Sequence, residues 1–391
     1  MGADNGKHPA YKRSLGLFEL VSLGVGGTIG SGIFVVPGIA AGIAGPASLI
    51  AWLIVAVSAS CVLLSLSYVA SGFTTSGSFY NLFSSVSGSR IAVPLIILYL
   101  ISSIFGVSTI AAGIGQYITY FGIPCVLVIE MGIIAAFCTL NSVGISQSTL
   151  AENILTTMKI IPLVIIALLL LPFVRADNFI QTSPLTTAAF FSAVIIVYWP
   201  FTGFEISAIP VEETKDHRLI ARSLVLVMII VVVVYLLLNI ALIGSAGSAT
   251  LAASPAPIAT AASVLFAYAG PLVAFIGIVA MLSALNAYII GTSRVLQNIS
   301  ARFSVPLLMD LSRRGTPVAA LVTGCTVSAT LLLFSNHFNE LASISVITTL
   351  IPYIFFCFCS WVLVPKLSSR IISLAGAAST AGILILFFLV K

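Results

Sequence analysis

Gly24-Val25-Gly26-Gly27-Thr28-Ile29-Gly30-Ser31-Gly32 places five glycines in nine residues, halfway along an apolar run that extends from about Leu15 to Gly42. Glycine costs a helix interior roughly 1 kcal/mol against alanine, so a helix through this run has a weak point at its middle. Trp199-Pro200-Phe201-Thr202-Gly203-Phe204-Glu205 interrupts a second apolar run, about 186–212, in the same way. Proline removes a backbone donor and clashes with the preceding turn. Together these two stretches decide the architecture, once the medium around them is known.

That medium is lipid. Of 391 residues, 60% are hydrophobic and 7% charged, against about 25% charged in an ordinary soluble domain. Such a chain cannot cover a water-facing surface, which excludes a soluble enzyme, a nucleic-acid-binding module and a disordered scaffold. A spanning helix needs about 20 apolar residues. Windows of that size give about eleven spans: 15–42, 46–71, 92–121, 123–143, 150–173, 186–212, 219–244, 262–300, 318–335, 341–366 and 369–390. The loops between them are short, and the longest polar insert runs from Arg175 to Pro184. The first run has no small-residue cleavage site behind a short core, so it reads as a retained span.

Lys and Arg orient the spans. With the N-terminus inside, the inner segments hold Lys7, Lys12, Arg13, Arg90, Lys215, Arg218, Arg222, Arg294, Arg302, Arg313, Arg314, Lys366 and Arg370, and the outer side only Arg175 and Lys391. Thirteen of the sixteen basic residues on one side is a bias that one miscounted span would scramble. Eleven spans place the C-terminus outside.

The interrupted spans are the first and the sixth. Five spans separate them, and five is odd, so two copies of one fold must lie in opposite orientations. The layout is therefore an all-α polytopic membrane protein with a five-plus-five inverted repeat: repeat one about 15–173, repeat two about 186–366, and an accessory helix about 369–390, all within one transmembrane unit, 1–391. Paired interrupted helices in inverted repeats point to a midplane substrate site in secondary transporters. Non-helical backbone at that depth is tolerated where it is buried or lines a cavity.

Each break exposes backbone. The half-helix after Gly30 offers free N–H groups and a positive dipole end, suited to a carboxylate at Gly30, Ser31 and Gly32. Carbonyls near Gly27 and Thr28, and from Trp199 to Thr202, suit a cation. An anion site beside cation sites fits a zwitterion. The glycines also read as packing motifs, Gly26-x-x-x-Gly30 and Gly38-x-x-x-Gly42, but packing alone does not account for the matching break in the sixth span. The spacing excludes a dinucleotide fingerprint, and no cofactor is expected.

Ionisable residues within the bilayer are functional candidates. Lys159 sits about seven residues into the fifth span, on the order of 10 Å from its end. There it either exchanges a proton, or replaces a bound cation near the first break, or is pinned to backbone carbonyls. Glu205 follows the second break and either braces it or senses protons. Glu130, in the fourth span, receives no role. Ser283 and Asn286 share a face of the eighth span at i, i+3, with Tyr288 close behind. Trp199, mid-span rather than interfacial, suits a lid over substrate. Cys61, Cys125, Cys138, Cys325, Cys357 and Cys359 form no C-x-x-C pair and read as packing, so no metal site is expected.

At these residues the sequence resembles the amino acid–polyamine–organocation (APC) transporter superfamily. Gly30-Ser31-Gly32-Ile33-Phe34 is similar to its first-helix signature. Phe201-Thr202-Gly203-Phe204-Glu205 with Glu212-Glu213-Thr214-Lys215 is similar to its sixth-helix signature. Asn286, Gly291-Thr292-Ser293-Arg294, Ala301-Arg302, Pro306 and Gly315-Thr316-Pro317 are similar to its eighth helix and the loop beyond. The resemblance implies a leucine-transporter-like core and alternating access around a central amino-acid site. It implies that the substrate carboxylate meets the amides of Ser31 and Gly32, and the ammonium meets carbonyls near Thr28, Trp199 and Thr202, with Ile29 and Gly30 also among the substrate-binding residues. Trp199 is then the gating aromatic and Tyr288 contacts the substrate side chain. Lys159 matches the fifth-helix lysine of proton-coupled members, beside the Gly26 carbonyl and Ser283. Glu205 and Asn286 are read as support for the gate and break.

The chain departs from that pattern in having eleven rather than twelve helices, Asp216-His217-Arg218 where Asn-Pro is usual after Lys215, and Phe303-Ser304 where Asp-Gly is usual. The expectation is a non-enzymatic amino-acid transporter of the plasma membrane, N-terminus cytoplasmic, a monomer or weak homodimer. Its mode is a proton symporter or an exchanger of amino acid for amine, with polyamines or other organic cations as the alternative cargo. A channel would want charge rings or a carbonyl filter, and an intramembrane enzyme would want clustered catalytic groups.

Overall fold

A computed structural model describes residues 15–70, 78–143, 159–181, 184–208, 214–312 and 314–390. Lys7, Lys12, Arg13, Glu212, Glu213, Arg313 and Lys391, named above, lie outside the described residues, as does the start of the fifth span.

In chain order the α-helices are α1 (Leu17–Thr28), α2 (Ser31–Ala44), α3 (Ser48–Ala70), α4 (Ser78–Ser87), α5 (Ser89–Tyr120) and α6 (Val126–Ser142). Then come α7 (Lys159–Phe173), α8 (Thr187–Tyr198), α9 (Arg218–Ala246), α10 (Ser248–Ala252), α11 (Pro257–Ala262) and α12 (Ala269–Arg302). The last four are α13 (Pro306–Met309), α14 (Val318–Phe334), α15 (Phe338–Leu363) and α16 (Leu367–Val390). Among the described residues the one extended pairing is a single bridge, in which Lys215 N donates to Leu15 O at 2.9 Å. It joins the chain before α1 to the segment after the second break.

Each expected span has a helical counterpart. The first is α1 plus α2, and the sixth is α8 plus two short 3-10 turns, Trp199–Phe201 and Phe204–Ala208. Leu17–Ala70, 89–120, 187–208, 218–246, 269–302, 338–363 and 367–389 are long and apolar enough to cross a bilayer, and α6, α7 and α14 are shorter apolar helices. Large apolar side chains face outward all along them, for example Leu53 and Val57 on α3 and Ile229 and Val233 on α9. Lipid, not water, is the solvent that leaves these faces without penalty.

Two expectations about boundaries are corrected. The apolar pattern predicts an eighth span over 262–300, but α12 begins at Ala269, and the chain before it folds into α10 and α11. Pro255 and Pro257 divide that stretch, Pro257 taking the first position of α11 where its missing N–H costs nothing. α10 lies on α2: a Cβ on Gly38 would fall 2.7 Å from Leu251 O, and one on Gly42 would fall 3.1 Å from the Ala252 methyl. The Gly38–Gly42 pair is thus a packing surface. Arg294, counted with an inner loop, instead lies within α12 and is 1% exposed.

The interior is organised around the breaks. α5 runs against α12 and α15, α1 packs on α9, and α2 on α8. The accessory helix α16 fills the angle between α3, α8 and α15. Ser373 of α16 donates to Ser360 of α15 at 3.0 Å, and Ser379 Oγ lies 2.9 Å from Ser58 Oγ of α3.

Candidate substrate site at the two interrupted helices

α1 stops at Thr28. Ile29 (φ −81°, ψ 89°) leaves the helical region while its N–H still bonds Val25 O. Gly30 (φ −143°, ψ −141°) is also non-helical, and α2 resumes at Ser31 with no side chain capping its first turn. The leading N–H groups of a helix have no partner within it, so the start of α2 is a donor site with a positive dipole end.

The second break follows from Pro200 and Gly203. α8 ends at Tyr198 and tightens into the 3-10 turn. Thr202 is extended, and Gly203 takes φ +93°, a left-handed conformation that side chains rarely adopt. A Cβ on Gly203 would also lie 2.7 Å from Gly27 O. The two breaks therefore touch through glycine backbone.

The remaining glycines read differently once seen in place. A Cβ on Gly32 would meet Pro200 Cα at 2.5 Å, and one on Gly30 would strike the Ala284 methyl of α12. Their missing side chains admit neighbouring protein rather than a ligand. What a carboxylate would use is the N–H groups of α2's first turn.

Side chains of both breaks converge. Trp199 Nε1 donates to Ser31 Oγ at 3.3 Å, and the indole lies 5.8 Å from the Tyr288 ring, tilted 48°. Thr202 Oγ1 lies 3.2 Å from Tyr288 Oη and donates to Trp199 O at 2.8 Å. Thr28 turns its hydroxyl back to Gly24 O at 2.7 Å, so it presents backbone, not side chain, to the break. Thr28, Ile29, Ser31, Trp199, Thr202 and Tyr288 are all buried, the most exposed being Tyr288 at 7%. In this structure the site is closed to solvent. Tyr288 also lines, with Tyr99, Ser102, Ser103, Glu205 and Thr349, a cavity of about 10 Å³, room for about one water.

Lys159, fully buried at the first described turn of α7, donates from Nζ to Gly26 O at 2.8 Å and to Ser283 Oγ at 3.0 Å. It thereby connects α7, the cut end of α1, and α12. Asn286, one turn further along α12, accepts from Asn141 Nδ2 of α6 at 2.9 Å. Ser283 and Asn286 thus share a face but serve different neighbours. Glu205 is held on three sides: Tyr99 Oη donates to Oε1 at 3.1 Å, Tyr353 Oη to Oε2 at 2.6 Å, and Gly203 N to Oε2 at 3.1 Å. Glu130 stands apart, buried against Gly115 of α5, where any side chain would collide with its carboxylate.

Sequence reasoning passed over Tyr99, Tyr235, Tyr353, Gly106 and Asn141. A signal existed for the tyrosines. Membrane tyrosines favour the interfaces, and a buried hydroxyl needs a partner, so a mid-span tyrosine marks polar business within the bilayer. Gly106 carries no such mark: only the Tyr288 ring, 2.5 Å from where its Cβ would stand, explains it.

Comparison with known proteins identifies the family and supports the fold. The chain is 29% identical over 230 residues to the branched-chain amino acid permease BcaP of Bacillus subtilis (strain 168), a match covering 53% of this chain and about half (49%) of that protein. It is 25% identical over 363 residues to the inner membrane transport protein YbaT of Escherichia coli (strain K12), covering 90% of this chain and 83% of that one. It is 26% identical over 380 residues to the serine/threonine exchanger SteT of B. subtilis, covering 92% and 84%. The crystal structure of MhsT in complex with L-phenylalanine superposes with a TM-score of 0.73 at 12% identity, over 97% of this chain and all of that one, and shares its leucine-transporter-like fold. The sequence model of one family, described as amino acid permease, matches residues 15–390. The chain belongs to that amino acid permease family, within the APC superfamily.

Proposed function

We propose that this protein is a secondary transporter that carries an amino acid across the plasma membrane by alternating access, coupled to proton symport, with its N-terminus in the cytoplasm. The substrate carboxylate docks on the amides of Ser31 and Gly32 at the uncapped start of α2. The ammonium docks on the carbonyls at Thr28, Ile29, Trp199 and Thr202. Trp199 closes over the substrate, and Tyr288 contacts its side chain. Backbone recognises what all amino acids share, so this scheme suits a family whose members differ in cargo. BcaP is named for branched-chain amino acids and SteT for serine and threonine.

One observation carries the coupling: the Lys159 ammonium spans Gly26 O and Ser283 Oγ. Charge-assisted hydrogen bonds are about twice as strong as neutral ones. Loss of the lysine's proton would therefore loosen α1 from α12, and its return would draw them together. A proton taken from one side and released to the other then accompanies each cycle.

The test is uptake of a labelled amino-acid mixture into proteoliposomes, with and without an inward proton gradient, for wild type and Lys159→Ala. Gradient-driven uptake that disappears in the variant supports symport through Lys159. Equal uptake by both proteins, requiring amino acid preloaded inside, would make the protein an exchanger and Lys159 a structural cation. Absence of any amino-acid uptake would overturn the substrate class, and labelled polyamines would then be the cargo to try.

A further inference from the structure

Tyr198 ends α8 and directly precedes Trp199, yet its side chain has no part in the scheme above. It is fully buried, and its Oη lies 3.2 Å from Ser58 Oγ of α3 and 3.3 Å from Thr380 Oγ1 of α16. Ser58 Oγ lies in turn 3.3 Å from Thr380 Oγ1 and 2.9 Å from Ser379 Oγ. Ser379 also donates to Gly376 O of its own helix at 3.2 Å. Four hydroxyls from three helices therefore close on one another in the apolar interior, where an unpartnered hydroxyl is costly.

The packing is built for this contact. Ser373, Gly376, Thr380, Ile383 and Phe387 form the buried stripe of α16, at alternating steps of three and four residues. A Cβ on Gly376 would stand 2.8 Å from Cys357 Sγ of α15 and 3.1 Å from the Cys61 backbone of α3. The bare glycine lets α16 sink between those helices, and one turn later Thr380 reaches α8.

Trp199 is held only lightly from its own side. Its indole donates to Ser31 Oγ at 3.3 Å, long against the usual length of about 2.9–3.0 Å. Hydrogen bonds are directional, so those of Tyr198 fix the rotation of the last turn of α8, and Trp199 is the next residue. The end of α8 is thus set from behind.

We propose that Thr380 and Tyr198 are positioning residues: through their hydroxyls the accessory helix α16 sets the end of α8 and so holds Trp199 in its closed pose over the substrate site. The clause on substrate rests on the transport reading given above; the setting of α8 by α16 does not.

Thr380→Val and Tyr198→Phe each remove a hydroxyl and keep the shape. Ser373→Ala is the control, since it removes a hydrogen bond from the same helix to Ser360 of α15, two turns away. Purified proteins are compared by hydrogen–deuterium exchange in peptides covering 196–206 and by melting temperature, and uptake kinetics are measured in proteoliposomes. Thr380→Val and Tyr198→Phe are each expected to raise exchange across the break several-fold and to raise KM several-fold, with maximal rate changed less than about twofold. The double variant is no worse than either single one, because both lose the same contact, and Thr380→Ser restores both readings. Ser373→Ala lowers the melting temperature by a similar amount but leaves exchange at the break and KM as in wild type.

Unchanged exchange in Thr380→Val overturns the proposal, as does an increase that Ser373→Ala matches or that Thr380→Ser fails to reverse. Failure of both Thr380→Val and Tyr198→Phe to fold would also overturn it, making the cluster structural. Raised exchange with an unchanged KM would overturn the hold on Trp199. If exchange rises as expected but wild type takes up no amino acid, α16 still sets the break and the transport reading has failed.

Discussion

Tyr353 Oη donates to Glu205 Oε2 across 2.6 Å, joining α15 to the short turn after the second break. With Tyr99 on the other oxygen and Gly203 N–H also donating, the carboxylate accepts three hydrogen bonds while only 3% exposed. A glutamine offers one oxygen and turns an NH₂ towards groups that donate. Glu205→Gln is therefore expected to cost about 1–3 kcal/mol, read as a lower melting temperature in detergent, with reduced uptake. A variant melting at the wild-type temperature would show that the three contacts do not brace the break.

Gly106 and Tyr288 make a tighter pair. A Cβ at position 106 would stand 2.5 Å from Tyr288 Cε1 and 3.4 Å from the Trp199 ring. Overpacking of this kind costs about 1–3 kcal/mol. Because the ring that must move belongs to the proposed side-chain contact, the effect should fall on substrate binding. Gly106→Ala is expected to raise KM about tenfold, the equivalent of about 1.4 kcal/mol, in a protein that still folds. An unchanged KM would place the substrate away from Tyr288.

Ser283 separates the two services that Lys159 performs. Ser283→Ala removes one acceptor of the ammonium and leaves Gly26 O in place. Gradient-stimulated uptake should fall, yet by less than in Lys159→Ala. Equal loss in the two variants would mean that the α12 contact alone transmits the coupling.

Ser304 stands where the family pattern has glycine, and its φ is +54°. The left-handed region costs an L-residue roughly 1–2 kcal/mol, offset in part by the extra entropy glycine loses on folding. Ser304→Gly is expected to raise stability by up to about 1 kcal/mol, measured by thermal unfolding, with transport unchanged. A destabilised variant would mean that the serine hydroxyl contributes more than its backbone costs.

Much of the architecture was legible along the chain. Five glycines at 24–32 and Pro200 with Gly203 mark the interruptions, and α1, α2 and α8 end or begin within a residue or two of them. The segment 248–262 was less legible, because its alanines continue an apolar pattern and only Pro255 and Pro257 break it. Arg294 was misplaced for the opposite reason: a charge suggests a loop, whereas helix α12 carries it two turns further in. At the site, Lys159 announced itself by charge alone, since no charge enters a bilayer cheaply.

The sequence by itself determined the medium, the helical class, the place of both breaks and the residues whose cost within lipid demands a reason. It could do so because lipid satisfies no backbone group and no charge, so each departure from apolar helix shows in one dimension. Only the tertiary structure decided which groups meet: Lys159 with Gly26 and Ser283, Glu205 with Tyr99 and Tyr353, Tyr235 with Thr28 and Pro200. It also decided that Gly30 and Gly32 make room for Ala284 and Pro200. Those pairings depend on how helices far apart in the chain are rotated and crossed, and a hydroxyl or a missing Cβ says nothing of its partner until the helices are packed.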